Sequence, residues 1–146
     1  MRVERFFDTN VLVYAASSSP VDRAKRTRAL KLIRESDFGL SAQVLQEFYV
    51  TVTRKFSKPL APEAAVALMD AYRVFPTVPT DYPLIVSAVE VSLKHGVSYW
   101  DGAIIAAAQV LGAGTLYTED LNHGQLYETV RVVNPFLDSE SETERS

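Results

Sequence analysis

The sequence predicts a single α/β domain, with a short and mainly parallel sheet held between layers of helices. Short apolar strand-like runs at residues 3–8, 38–40, 115–118 and 130–133 alternate with segments whose apolar residues recur every three or four positions. The 146 residues are 47% hydrophobic and 10% aromatic, enough for one core and typical of one domain. Carboxylates also stand where strands end, the place where open α/β sheets bind ligands.

Residues 3–8 (VERFFD) read as a strand ending on a carboxylate and followed by a loop at Thr9-Asn10. Ser19-Pro20-Val21-Asp22 is a helix start, with a serine cap, proline at the first position and an acid in the first turn. That helix extends to about Glu35, with Val21, Ala24, Leu30 and Ile33 facing inward. After the strand at 38–40, Ser41 caps a helix reaching about Phe56, whose apolar stripe is Val44, Leu45, Phe48, Val52 and Phe56. Pro62 opens a third helix through about Arg73, and Thr77-Val78-Pro79 is a brief strand or extended turn. From Asp81 a fourth helix runs to Lys94 and stops at His95-Gly96. Ser98 caps a fifth, from Tyr99 to about Leu111, rich enough in Ala and Ile to be buried on most sides. Gly112 and Gly114 break it ahead of the strands at 115–118 and 130–133, the last closed by Asn134-Pro135.

Composition excludes several classes of chemistry. No cysteine is present, which removes disulfide scaffolds, thiolate zinc sites and cysteine nucleophiles and suits a reducing cytoplasm. His95 and His123 lie too far apart to form a helical metal-binding pair. No apolar stretch approaches the ~20 residues of a membrane span, and Asp8 and Asn10 interrupt any signal-like run, so a cytoplasmic protein is expected.

The formal charge of −3 is local, because residues 138–146 (DSESETERS) hold four acids and one arginine. The chain therefore divides into a neutral domain, 1–137, and an acidic tail, 138–146, expected to be disordered. Inside the neutral domain the charges segregate. Nine of the 15 basic residues fall between Arg23 and Lys58, against only Glu35, Asp37 and Glu47. Such a belt is either a solubilising face or a phosphate-tracking surface, with Arg23, Arg26, Arg28, Lys55 and Lys58 as candidates. His123, close to Asp120, donates to a phosphate, acts as a proton shuttle or is simply exposed.

Four acids make the strongest pattern. Asp8 ends the first strand, Asp120 follows the strand at 115–118, Asp101 lies in the first turn of the Ala-rich helix, and Glu47 sits beside an apolar stripe. Singly, each has an ordinary explanation: an Asx turn, a loop cap, a complement to a helix dipole, a solvated helix acid. Together, the inferred topology brings all four to one end of one sheet. Two carboxylates ~5 Å apart repel by roughly 3 kcal/mol at an effective dielectric of about 20. Four ionised ones therefore need proton uptake or a divalent cation. An oxygen-only set suits Mg2+ or Mn2+ rather than zinc. Such a site lowers the pKa of a bound water and neutralises a phosphate, which is what metal-assisted phosphodiester hydrolysis requires.

The order and context of Asp8-Thr9-Asn10, Gln46-Glu47-Phe48, Tyr99-Trp100-Asp101-Gly102-Ala103-Ile104 and Thr118-Glu119-Asp120 resemble the PIN-domain family, and within it the VapC-type toxin ribonucleases. The resemblance spans residues 3–133. It implies a PIN-like three-layer α/β/α sandwich and an endoribonuclease whose Mg2+ or Mn2+ is held by Asp8, Glu47, Asp101 and Asp120. Thr9, Asn10 and Thr118 would order those ligands from behind. Glu119 rivals Asp120 for the fourth position, and the family's habit of placing the acid two after the threonine favours Asp120. An RNA substrate, a homodimer and a cognate VapB-like antitoxin are implied as well. Two other readings stay open. One is a HAD-like phosphatase with Asp8 as nucleophile, disfavoured because its second aspartate is here Asn10. The other is a PIN-like module that binds RNA or protein without catalysis.

Overall fold

The computed structural model of the chain describes residues 2–35 and 37–137; the acidic tail expected at 138–146 lies outside them. Its strands are β1 (Arg5–Phe7), β2 (Phe38–Ser41), β3 (Thr77–Val78), β4 (Thr115–Tyr117), β5 (Leu126–Tyr127) and β6 (Val130–Val133). They form one sheet in the order β3-β2-β1-β4-β6-β5, parallel except for β5, which runs antiparallel to β6. Helices α1 (Thr9–Ala16), α2 (Arg23–Glu35), α3 (Ala42–Val50), α4 (Pro62–Ala71), α5 (Tyr82–His95) and α6 (Tyr99–Val110) flank it, the predicted α/β architecture.

Burial explains why such short strands hold. Phe6, Phe7, Phe38, Leu40, Leu116 and Val132 are fully buried, as strands covered on both faces must be. Phe7 stacks on Phe38 at 4.2 Å between ring centroids, and Phe38 on Phe75 at 4.0 Å, which ties β1, β2 and the approach to β3 together. Each such pair contributes about 1 kcal/mol beyond its buried area.

Three of the helix starts carry side-chain caps, whereas Ser19, also expected to cap a helix, makes no side-chain cap hydrogen bond because a 3-10 turn follows it. The side chains of Ser41, Asp81 and Ser98 accept from the N–H groups of Val44, Leu84 and Asp101, and Gly96 closes α5 at φ +66°. The Ala-rich α6 is buried from Gly102 to Ala108. Its approach to α5 is close enough that a Cβ on Gly102 would lie 2.6 Å from the Ala88 carbonyl oxygen.

The structure departs from the sequence reading in four places. The expected loop after Asp8 is instead α1, whose Val11 and Leu12 are driven into the core. Pro20–Asp22 form a 3-10 turn, so α2 starts at Arg23 with a different phase; Ala29 and Leu32 are buried and Val21 is 74% exposed. The helix begun at Ala42 continues past Val50 as a π-turn, Thr51–Lys55. No helix separates β4, β5 and β6; β5 and β6 form a hairpin that turns through Glu128 at φ +55°.

Candidate active site

The strand order reverses around β1: the next strand in sequence lies on one side of it and β4 on the other. The backbone N–H of Asp8 donates to the Tyr117 carbonyl (3.0 Å), tying the end of β1 to the end of β4. A crevice at this switch point is the expected ligand position in an open α/β sheet.

Asp8 is buried and caps α1. One of its carboxylate oxygens accepts from the Thr9 N–H (2.7 Å) and the other from the Thr118 hydroxyl (2.8 Å). The same hydroxyl oxygen accepts from Asn10 Nδ2 (3.3 Å) and from the Asp120 N–H (3.1 Å). Asn10 Nδ2 also donates to the Asp120 carboxylate at 3.3 Å. One threonine hydroxyl thus links two of the predicted acids. Glu47 joins from α3: its two oxygens accept from the Thr9 hydroxyl (2.8 Å) and from Gln43 Nε2 (2.9 Å). Gln43 reaches on to the Trp100 carbonyl at 3.3 Å, next to Asp101, whose N–H is capped by Ser98 in the first turn of α6.

The electrostatics follow from this crowding. Burial pushes the Asp8 carboxyl up to about 7; the charges of Asp120 and Glu47 add to the rise, while the Thr9 and Thr118 hydrogen bonds oppose it. Asp120, exposed at the rim, is raised by partial desolvation and then by the charges of Glu119, Asp101 and Glu47, against the pull of Asn10. Asp8 thus feels Asp120 and Glu47, and Asp120 feels Asp101 and Glu47.

Glu119 is used differently. Its oxygens accept from the Tyr14 hydroxyl (2.5 Å) and pair with Lys25 Nζ (3.2 Å). Burial and Glu119 hold the Tyr14 phenol up at about 12, so it stays a donor. Burial pulls Lys25 down, but Tyr14 and Glu119 more than offset it and keep the ammonium charged.

All the donors are oxygens, which fits a hard divalent ion. The side-chain Oδ1 of Asn10, whose Nδ2 bonds Thr118 and Asp120, is buried without a hydrogen-bond partner. Among the described residues, however, no three carboxylates or imidazoles form a group able to hold a metal ion.

The basic belt is divided among several places. Arg28 Nε donates to the Pro135 carbonyl (3.3 Å), and Lys25 is taken up by Glu119. Arg23 and Arg26 are exposed on α2, while Lys55 and Lys58 line a cleft with Ser17, Ser19 and Asp22 at the opposite end of α1. His123 accepts the Asn134 N–H on Nδ1 (3.0 Å), which ties its loop to the end of β6. Gln43, Tyr14 and Lys25 are the residues the sequence reading missed. Tyr14 lies one turn after Asn10, a signal available only once 9–16 is read as a helix.

Acids collected at the switch point of a short parallel sheet define an α/β protein with an oxygen-only candidate metal centre. The PIN domain model matches residues 5–129, and the chain belongs to the PIN domain family. No curated protein matches the sequence. Among solved structures, VapC20 of Mycobacterium tuberculosis, a sarcin–ricin-loop-cleaving toxin, is 21% identical with a TM-score of 0.65, over 80% of this chain and 90% of that one. FitAcB from Neisseria gonorrhoeae is 21% identical with a TM-score of 0.63, covering 91% of this chain and 99% of its own. A toxin–antitoxin complex from Klebsiella pneumoniae is 17% identical with a TM-score of 0.68, over 90% and 98%. Likeness at these identities concerns the fold.

Proposed function

We propose that this chain is a Mg2+- or Mn2+-dependent endoribonuclease, the cytoplasmic toxin of a VapBC-type toxin–antitoxin pair. The observation that carries the proposal is the linked set of acids at the β1–β4 crevice, with Asp8 buried and held on both oxygens. Asp8, Asp101 and Asp120, with Glu47, are the residues that would hold the ion; bound there, it would neutralise the attacked phosphate and acidify a water.

The chain itself does the rest. Thr9 N–H and the Thr118 hydroxyl present the Asp8 carboxylate in a single orientation, and Thr9 and Gln43 do the same for Glu47. Asn10 spaces Asp120 from Thr118. With its carboxyl near 7, Asp8 sheds a proton to take up a cation, so cation binding strengthens as pH rises. Exposed Arg23 and Arg26, with Lys55 and Lys58, supply cationic surface for the RNA backbone.

Toxin–antitoxin complexes among the structural neighbours support an antitoxin partner. A homodimer is supported by α5, which carries two apolar faces. Leu84, Ala88 and Val91 are buried, while Tyr82, Ile85, Val86, Val89 and Leu93 form a second stripe that is exposed. An exposed stripe of this kind marks an association surface.

The direct test is metal-dependent RNA cleavage by purified Asp8→Asn and Asp101→Asn proteins. Activity surviving in both would sink the nuclease proposal. A second reading, a PIN module that binds without catalysis, is favoured by the absence of a finished three-ligand group among the described residues. Calorimetry with Mg2+ and Mn2+ separates the two, because a silent titration selects the binding module.

A further inference from the structure

The loop after β4 offers two consecutive acids, and either has the chemistry to serve the crevice. The structure sorts them. Asp120 is held by Asn10 and its backbone N–H by Thr118, on the side of Asp8. Glu119 is drawn the other way, onto Tyr14 and Lys25. Asn10 and Tyr14 lie one turn apart on α1, so a single helix face holds both acids, each in its own place.

The Glu119 contact is built rather than incidental. The side chains of Lys25 and Glu119 are only 19% and 21% exposed. Lys25 Nζ also reaches the Tyr14 hydroxyl at 3.2 Å and lies 4.8 Å from the Tyr14 ring centroid, so three groups from α1, α2 and the β4 loop close on one another. Hydrogen bonds to an ionised carboxylate are among the strong ones, and partial burial strengthens them. A loop anchored at residue 119 has little freedom left at residue 120.

We infer that Tyr14 and Lys25 are positioning residues: by clamping Glu119 they fix the loop after β4 and thereby aim Asp120 into the acid cluster. The inference rests on the metal-site reading proposed above. It assigns Glu119 a role as anchor and leaves the ligand role to Asp120.

The test compares the full chain with Tyr14→Phe, Lys25→Met, Glu119→Ala, Glu119→Gln and Asp120→Ala. Mn2+ alone is the probe, followed by calorimetry, with thermal midpoints recorded in parallel. Asp120→Ala should lose Mn2+ binding. Tyr14→Phe and Glu119→Ala should weaken it about tenfold, the size expected when support behind a ligand is removed. Glu119→Gln, which still accepts from Tyr14, should bind within about twofold of the parent. A purely stabilising clamp would lower the thermal midpoint of Tyr14→Phe and leave Mn2+ affinity unchanged, which overturns the inference. Loss of binding in Glu119→Gln as complete as in Asp120→Ala also overturns it, by making Glu119 a ligand.

A metal-independent readout separates this inference from the function it rests on. The Asp120 amide, bonded to Thr118, should exchange its hydrogen about tenfold faster in Tyr14→Phe when measured by NMR without divalent ions. A parent protein silent toward Mn2+ sinks the metal site, and the amide exchange then decides the clamp by itself. Unaltered exchange overturns it.

Discussion

Two carboxylate environments, one at the N-cap of α1 and one beside Tyr14 further along it, are built on opposite principles. Around Glu119, an acid meets a cation and a phenol, and the charges cancel locally. Around Asp8, an acid meets only neutral donors, with further acids behind them. The first arrangement holds the fold together at neutral pH. The second is costly for the fold, because a buried carboxylate facing other acids is stable only with a proton or a counter-ion. Proximity of like groups therefore does not separate structural from chemical sites; the presence or lack of built-in compensation does.

The sharpest way to break the comparison is Asp8→Asn. It should reduce metal-dependent RNA cleavage by about a hundredfold or more in a single-turnover assay, since it removes one ligand charge. The same substitution should stabilise the protein in chelator at pH 8. The ordinary carboxyl value is 3.8 and the folded one about 7, so the folded state binds more protons between them. Stability from this group is complete below 3.8 and is lost as pH rises through about 7. A three-unit difference corresponds to at most about 4 kcal/mol, and a gain of about 2 kcal/mol is expected from denaturant curves. The pH slope of stability in that window should flatten as well. Inactivity without stabilisation would show that Asp8 is compensated after all.

Lys25→Met should have the opposite sign, with no gain anywhere. Removing the cation leaves Glu119 partly buried beside a phenol, at a cost of about 2 kcal/mol after allowing for residual exposure. A thermal midpoint unchanged from the parent would remove the contrast. Gly102→Ala sets a new Cβ 2.6 Å from the Ala88 carbonyl oxygen, so α5 and α6 must move apart, which disturbs Asp101 in the first turn of α6. A loss of about 1–2 kcal/mol and weaker Mn2+ binding are expected by denaturation and calorimetry. Leu93→Glu, on the exposed stripe of α5, should change monomer stability by under about 0.5 kcal/mol while converting the proposed dimer to a monomer in light scattering.

The sequence was most informative where a residue acts locally. Ser41, Asp81 and Ser98 cap the helices they precede, and Asp8 and Thr118 mark strand ends, because each signal is contained within a few residues. Helix α1 was not legible: eight residues ending in Val-Leu-Val-Tyr-Ala-Ala carry little helical signal, and burial of Val11 and Leu12 decides their conformation. Missing α1 hid the Asn10–Tyr14 pairing, and with it the different fates of Glu119 and Asp120. Lys25 and Glu119 are 94 positions apart, so nothing in the linear pattern announces their contact. Strand β5 escaped as well: two residues carry no periodicity, and β3, equally short, was readable only as a brief strand or extended turn.

The outermost strands, β3 and β5, are each only two residues long. A sheet edge ordinarily invites pairing with another chain through its free N–H and C=O groups. Here each rim offers so few that an incoming strand finds no register, which guards against edge-to-edge aggregation. The dimer proposed above would accordingly rest on side chains of the helices, where a substitution acts without disturbing the sheet.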